Sequence, residues 1–127
     1  MISFLYWLQA MNIQESKDKL QSLYDDLKKE VDGTITSTGV YVEPSAYSYY
    51  RKAQVFVDEA INLSKIDDGF PIEHVLHTFN EEVSYVKDYE GKGKSARKRQ
   101  KELESLMRKA THQLYVDLCP FLTDKWY

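Results

Sequence analysis

Apolar residues recur at steps of three and four positions in four separate stretches of this 127-residue chain. Such spacing places the apolar side chains on one face of an α-helix, so the pattern predicts four amphipathic helices. The length fits one domain, and 43% hydrophobic residues are enough for a core without disulfides or metals. We therefore expect a single all-α domain over residues 1–127.

The four predicted helices lie at residues 16–31, 45–66, 71–90 and 95–118. Ser45 is a suitable N-cap, Pro71 suits a first helical turn, and Pro120 prevents continuation of the last helix. Short connections after the second and third helices favour antiparallel neighbours, which predicts an antiparallel four-helix bundle. Between the first two helices, residues 33–42 are rich in β-branched and aromatic types, which fits a short hairpin and an irregular, ordered loop equally well.

Each helix has one apolar face that should form the core. The predicted core residues are Leu20, Leu23, Tyr24, Leu27, Val31, Tyr50, Ala53, Val57, Ala60, Ile61, Leu63 or Ser64, Ile72, Val75, Leu76, Phe79, Val83, Val86, Leu103, Leu106, Met107, Ala110, Leu114 and Leu118. Phe79 and Leu106 stand at the centres of their faces, so we expect truncation of either to destabilise the fold.

The chain opens on an apolar, aromatic run at residues 2–8, which is too short to span a bilayer and lacks the basic start of a signal peptide. We therefore expect no membrane span. Residues 1–12 form an apolar N-terminal extension if they belong to the protein. The alternative is that translation starts at Met11 and that residues 1–10 are an artefact of the assigned start site. If they belong to the protein, we expect residues 1–10 to pack against the apolar tail at 121–127, of the same chain or of a second copy in a homo-oligomer.

Charge is distributed unevenly along the chain. Residues 54–91 contain nine acidic residues against two lysines, giving −7, whereas residues 92–109 contain eight basic residues against two glutamates, giving +6. Several of these cations precede or begin the fourth helix, where the helix dipole disfavours positive charge. The segment is a solvated turn, a contact for an anionic protein, or a nucleic-acid contact. The pI of 5.6 favours protein over nucleic acid.

Tyrosines are concentrated around the start of the second helix, beside Arg51 and Lys52. Tyrosine and arginine are enriched at protein interfaces, because the ring buries apolar area while polar groups keep hydrogen bonds. Tyr47, Tyr49 and Tyr50 cannot all point inward, so at least one should be exposed. The predicted partner-binding residues are Tyr41, Tyr47, Tyr49, Arg51, Lys92, Lys94, Arg97, Lys98 and Arg99.

Recognisable catalytic and metal-binding motifs are missing from the sequence. Gly93-Lys94-Ser95 lacks the preceding strand and glycine of a phosphate-binding loop. His74, His77 and Glu81 share a helical face and could hold a divalent metal, but no ligand from a second helix is identifiable, so we expect a solvated face. The only cysteine, Cys119, excludes an intrachain disulfide, indicates a reducing, cytoplasmic setting, and is predicted to be a small core residue. We expect no cofactor and no metal.

Arg108-Lys109-Ala110-Thr111-His112 resembles the Arg-x4-6-His signature of the HEPN helical ribonucleases, with a spacing one residue short. The resemblance covers these five residues and would imply RNA cleavage by Arg108 and His112 at a dimer interface.

The sequence therefore predicts a small, non-catalytic, cytoplasmic protein-interaction module whose partner is another protein. Its size, lone cysteine and lack of a catalytic motif are similar to accessory proteins of bacteria and phages, such as immunity proteins and inhibitors of host defence. Two alternatives stay open: a nucleic-acid-binding helical protein that uses residues 92–109, and a helical ribonuclease centred on Arg108 and His112.

Overall fold

The computed structural model describes the backbone of residues 2–119 and the side chains of residues 12–119. This part of the chain is mostly helical, as the sequence predicts, and it contains one small two-stranded sheet. The elements are α1 (Ile2–Asp32), β1 (Thr34–Ile35), β2 (Tyr41–Val42), α2 (Ala46–Ile66), α3 (Ile72–Thr78), a π-helical turn (Phe79–Val83), α4 (Ser84–Asp88) and α5 (Ala96–Leu118). Within it, no helix is long and apolar enough to cross a membrane.

The first helix is longer than predicted, because its backbone is helical from Ile2 rather than from residue 16. Neither proline nor glycine interrupts residues 2–32, and the helix ends where Gly33 adopts a positive φ of 78°. Residues 2–12 therefore continue α1 instead of forming a separate extension. The side chains of residues 1–11 and all of residues 120–127 lie outside the described residues, and so does the predicted packing between the two ends.

The segment after α1 is a hairpin, which decides between the two alternatives. Its strands are antiparallel, with Thr34 opposite Val42 and Ile35 opposite Tyr41. The Tyr41 ring lies so close to Gly33 that a Cβ there would be 2.5 Å from the Tyr41 hydroxyl oxygen, so only glycine fits. The Tyr41 hydroxyl also donates a hydrogen bond to the Asp32 carbonyl oxygen at 3.3 Å, which fixes the hairpin to the end of α1.

Helix α2 begins and ends as predicted, but its inner face is rotated. The Ser45 side chain accepts a hydrogen bond from the Ser48 backbone N–H at 3.0 Å, so Ser45 is the predicted N-cap. Tyr49 is fully buried, whereas Tyr50 is only partly buried. The prediction of Tyr49 as a partner-binding residue is therefore wrong. Its hydroxyl has polar partners inside the core, namely the Thr111 hydroxyl at 2.8 Å and the Met107 carbonyl oxygen at 3.3 Å.

The third predicted helix contains a π-helical turn that the apolar spacing does not reveal. The Ser84 N–H bonds to the Phe79 carbonyl oxygen, five residues back, and the extra residue changes which side chains face inward. Thr78 is buried with Val75, Val83 and Val86. Its hydroxyl donates a hydrogen bond to the Asp117 carboxylate on α5.

Helix α5 follows the prediction closely. Ser95 is its N-cap and accepts a hydrogen bond from the Lys98 N–H at 3.2 Å. Two predicted centres of core faces, Leu106 on α5 and Phe79 on the π-helical turn, are only partly buried and pack against the margin of the core. The fully buried large side chains include Tyr49, Phe56, Leu20, Leu27, Leu63, Met107, Leu114 and Leu118.

Candidate functional site

Exposed apolar side chains are concentrated in the hairpin and the first turn of α2. Among residues 12–119, five of the eight large hydrophobic side chains that are exposed fall between residues 35 and 47, and Ile35 and Tyr47 each expose 74% of their surface. We call this set the hairpin surface; it consists of Ile35, Val40, Tyr41, Val42 and Tyr47. Apolar side chains gathered at one place, rather than scattered singly, are typical of an interaction site.

A buried carboxylate joins the end of α1 to the start of α2, the two helix ends that the hairpin connects. Glu30, near the end of α1, is 7% exposed and accepts hydrogen bonds from Ser48 Oγ at 2.6 Å, Lys52 Nζ at 2.8 Å and the Ser45 N–H at 3.3 Å. Burial raises the pKa of Glu30, but these three hydrogen bonds outweigh it and leave the pKa below its usual value. Glu30 therefore links the residues before the hairpin to the residues that follow it. The sequence did not predict this role of Glu30. Glu30 follows Leu27 by three residues, and this spacing along the inner face of α1 could have indicated that Glu30 is buried.

The exit from β2 lies against α5. Gln100 Nε2 donates a hydrogen bond to the Pro44 carbonyl oxygen at 2.9 Å. Glu43 lines a groove of about 770 Å³ together with Arg97 and Lys101. The hairpin surface thus has a border of charged side chains supplied by the first turns of α5.

The five predicted cations of the basic segment are all exposed, but they are not equivalent. Lys92 Nζ lies 3.2 Å from a Glu90 carboxylate oxygen, and Lys94 forms an ion pair with Glu102, which also accepts a hydrogen bond from the Tyr89 hydroxyl. The hydrogen bonds from Lys94 and Tyr89 lower the pKa of Glu102. Two of the five predicted cations are therefore paired within the chain.

The other three predicted cations differ from this pair. Arg97, Lys98 and Arg99 form no salt bridge with any residue that the structure describes. Arg97 shares one face of α5 with three other basic side chains. They follow it at steps of four, seven and four residues, and they are Lys101, Arg108 and His112. The free positive charge available to a partner is therefore on α5 rather than in the turn before it.

Arg51 lies one helical turn after Tyr47 on α2, and both side chains are exposed. It lines a groove of about 340 Å³ with Val55 and Phe79. Because residues four apart share a helix face, Tyr47 and Arg51 extend the hairpin surface along α2. Of the predicted partner-binding residues, Tyr41 and Tyr47 thus belong to the hairpin surface, and Arg51 follows Tyr47 on α2. Arg97 lines the groove beside Glu43.

A third groove lies between α1 and α5 on the face of Arg108; we call it the α1–α5 groove. It measures about 380 Å³, and its lining residues are Tyr24, Lys28, Val31, Asp32, Arg108, Thr111, His112 and Tyr115. Tyr24, Val31 and Thr111 are buried at its base, whereas Lys28, Asp32, Arg108 and His112 are exposed at its rim. The sequence relates Arg108 to His112 only through their spacing, whereas the structure places both beside side chains of α1.

The possible metal ligands are dispersed. His74, His77 and Glu81 are all exposed, and within residues 12–119 no group of three or more histidine, cysteine, aspartate or glutamate side chains could hold a metal ion. Cys119 is half-buried, with its sulfur 3.9 Å from the Tyr115 hydroxyl oxygen. Comparison of the chain with protein-family models, curated proteins and solved structures found no match.

Proposed function

We propose that this protein is a non-catalytic interaction module, built as an antiparallel bundle of four helices, that binds another protein through the hairpin surface. The observation that carries this proposal is the concentration of Ile35, Val40, Tyr41, Val42 and Tyr47, all exposed, within 13 residues. Leaving these side chains in water forgoes the free energy that their burial would release. A partner that covers them recovers that free energy.

The anchoring of the hairpin supports the same proposal. A flexible loop loses conformational entropy when it binds, and that loss weakens the complex. Here the contact of Tyr41 with Gly33, the hydrogen bonds of Glu30 and the Gln100 to Pro44 bond hold the hairpin before any partner arrives. The hairpin surface is therefore preorganised for binding.

The charged border indicates the chemistry of the partner. Arg97 and Lys101 have no salt-bridge partner in the described part of the chain, and they lie beside the hairpin exit at Glu43. An apolar patch with acidic side chains at its edge would complement this arrangement. Charge complementarity at such a border contributes mainly to association rate and specificity.

A photocrosslinking experiment tests the proposal. A benzophenone amino acid replaces Tyr47 in one variant and Tyr85 in a control, since both tyrosines are exposed and Tyr85 lies outside the hairpin surface. We expect a protein from the source cells to crosslink through position 47 and not through position 85. Adding Ile35→Ser and Val42→Ser to the first variant should abolish that product. Equal crosslinking from both positions, or a product that joins two copies of this chain, would contradict the proposal.

Two further measurements separate the alternatives that the sequence leaves open. A nucleic-acid-binding protein using residues 92–109 should be retained on single-stranded or duplex DNA and released by salt, with the retention lost on Arg97→Gln and Lys101→Gln substitution. A helical ribonuclease should cleave RNA without metal and lose activity on His112→Ala substitution. We expect neither result.

A further inference from the structure

The α1–α5 groove carries a second inference that is independent of the hairpin surface. Its two walls come from helices far apart in the sequence, and it combines a buried base with a charged, exposed rim. Its volume of about 380 Å³ lies within the range of about 300–1,000 Å³ in which small molecules are bound. Neither the proposed protein contact nor the stability of the core requires such a groove.

Aromatic rings form a row along the groove. The ring centroids of Tyr24 and Tyr115 are 6.5 Å apart, and those of Tyr115 and His112 are 6.3 Å apart with planes only 26° from parallel. The row runs from a buried ring, Tyr24, to an exposed ring, His112. A flat ring in a ligand can pack against such a row, with favourable offset or edge-to-face contacts.

Two cations, one from each wall of the groove, lie beside this row. Lys28 Nζ lies 5.9 Å from the centre of the Tyr24 ring and forms no salt bridge with residues 12–119. Arg108 pairs only loosely with Glu104, at 3.9 Å, and its side chain remains 58% exposed. Asp32 is the one carboxylate in the lining, so Lys28 and Arg108 leave the groove with a formal charge of +1. The groove therefore favours an anion, and Asp32 can accept a hydrogen bond from a hydroxyl or amino group on the same ligand.

We propose that the α1–α5 groove binds a small ligand that combines an aromatic ring with a phosphate group. The ring packs against Tyr115 and His112, and the phosphate is bound by Arg108 and Lys28. Arginine suits this role because its planar guanidinium can donate two parallel hydrogen bonds to phosphate oxygens. Two sources combine an aromatic ring with a phosphate: a phosphorylated tyrosine side chain, whose phosphate is bound through the ring oxygen, and a free nucleotide, whose phosphate is bound through the ribose.

The test is a titration of the ¹⁵N-labelled full chain, followed by amide chemical shifts. Phenyl phosphate is the minimal probe, with inorganic phosphate and phenol as its separate halves. We expect phenyl phosphate to shift the amides of Lys28, Thr111 and His112 and to bind more tightly than either half. Adenosine 5′-monophosphate and N-acetyl-phosphotyrosine amide then distinguish the two sources, and the tighter of the two identifies the source. If phenyl phosphate shifts none of these amides, or binds no better than inorganic phosphate, the inference is wrong.

Matched variants show whether the groove itself is responsible. Arg108→Gln should weaken phenyl phosphate binding by about tenfold, because a charge-assisted hydrogen bond is lost. Lys109→Gln removes a neighbouring, exposed charge on α5 that does not line the groove, and it should leave binding unchanged. Lys28→Gln provides a second test from the other wall if Arg108→Gln disturbs the fold. Equal affinities of Arg108→Gln and Lys109→Gln, with both folded, would contradict the inference. Tyr47→Ser should not affect this titration, so its outcome is independent of the protein-binding proposal.

Discussion

Tyr47 and Tyr49 stand two residues apart at the start of α2, yet Tyr47 is 74% exposed and Tyr49 is fully buried. Successive residues of an α-helix are rotated by about 100°, so side chains two apart point to nearly opposite sides. Tyr49 belongs to the central core, and Tyr47 belongs to the hairpin surface. The two regions use the same kinds of residue, aromatic and β-branched, for different purposes.

The difference lies in what surrounds each side chain. In the core, Tyr49 packs its ring among apolar residues and places its hydroxyl between Thr111 and Met107, so both parts of the side chain are satisfied. On the hairpin surface, Ile35 and Tyr47 contribute little to folding because most of their area stays in water. Core residues should therefore control stability, and hairpin residues should control binding. Substitutions and pH changes that affect either the core or the hairpin surface test this division between stability and binding.

Phe56→Ala should have the largest effect. Phe56 is fully buried on α2 and lies against Tyr24, with ring centroids 6.3 Å apart. Removing its ring leaves a cavity, so we expect the free energy of unfolding to fall by about 3–5 kcal/mol. Urea denaturation followed by circular dichroism measures the change. Leu106→Ala, at the margin of the core, should cost less, and equal costs would contradict the burial difference between the two sites.

High pH should destabilise the core through its tyrosines. Burial, with a smaller contribution from Asp25, raises the pKa of Tyr24 to about 12, and burial also raises the pKa of Tyr49. Both pKa values lie above the ordinary tyrosine value of 10.0, so the stabilisation is complete below pH 10 and is lost as pH rises through the folded-state pKa. We expect a loss of about 1.4 kcal/mol per pH unit for each tyrosine above pH 10. Denaturation midpoints across this range measure it, and a Tyr24→Phe variant should show a smaller slope.

Glu30→Gln should loosen the hairpin and destabilise the fold by about 1–3 kcal/mol, because Lys52 and two further donors lose a charged acceptor. The folded-state pKa of Glu30 is lowered, so its stabilisation is present above the ordinary glutamate value of 4.5 and is lost as pH falls through the folded-state pKa. The difference between wild type and variant should therefore shrink in acid. Glu90→Gln is the control, because its pair with Lys92 is exposed on both sides and should contribute less than about 1 kcal/mol.

Tyr47→Ser and Ile35→Ser should have the smallest effect on stability, within about 0.5 kcal/mol of wild type. Both side chains are 74% exposed, so little buried area is lost. Ile35→Ser, combined with the benzophenone amino acid at position 47, should reduce crosslinking to the partner. A large loss of stability would show that the hairpin surface is part of the folding core after all.

The sequence predicts the helix ends correctly where local signals are strong. Ser45 is the N-cap that the sequence predicts, and α2 and α5 lie within the predicted ranges, because a capping hydroxyl and a following apolar period act over a few residues. It does not predict which of two neighbouring side chains is buried, because a helix rotated by one residue presents a different side chain to the core. Tyr49 and Tyr50 both fit the helical period of α2, and only packing against Met107 and Thr111 selects Tyr49 as the buried one.

The candidate sites divide in the same way. Exposed tyrosine at position 47 and cations at 97–99 were predicted from composition, whereas the pairing of Lys94 with Glu102 was not. The α1–α5 groove could not be predicted either, since Lys28 and Arg108 are eighty positions apart. Side chains so distant in sequence meet only when the helices pack.

Local sequence specifies the helical character of this protein, the ends of its later helices and the separation of acidic from basic segments, because each depends on residues near one another in the chain. The tertiary structure decided the hairpin, the π-helical turn that buries Thr78, the inward rotation of Tyr49 and the two grooves on α5. Each of these depends on close packing between distant segments, where a rotation of one residue changes which side chain is buried. The binding surfaces therefore follow from how the helices pack, on a helical framework that local sequence already specifies.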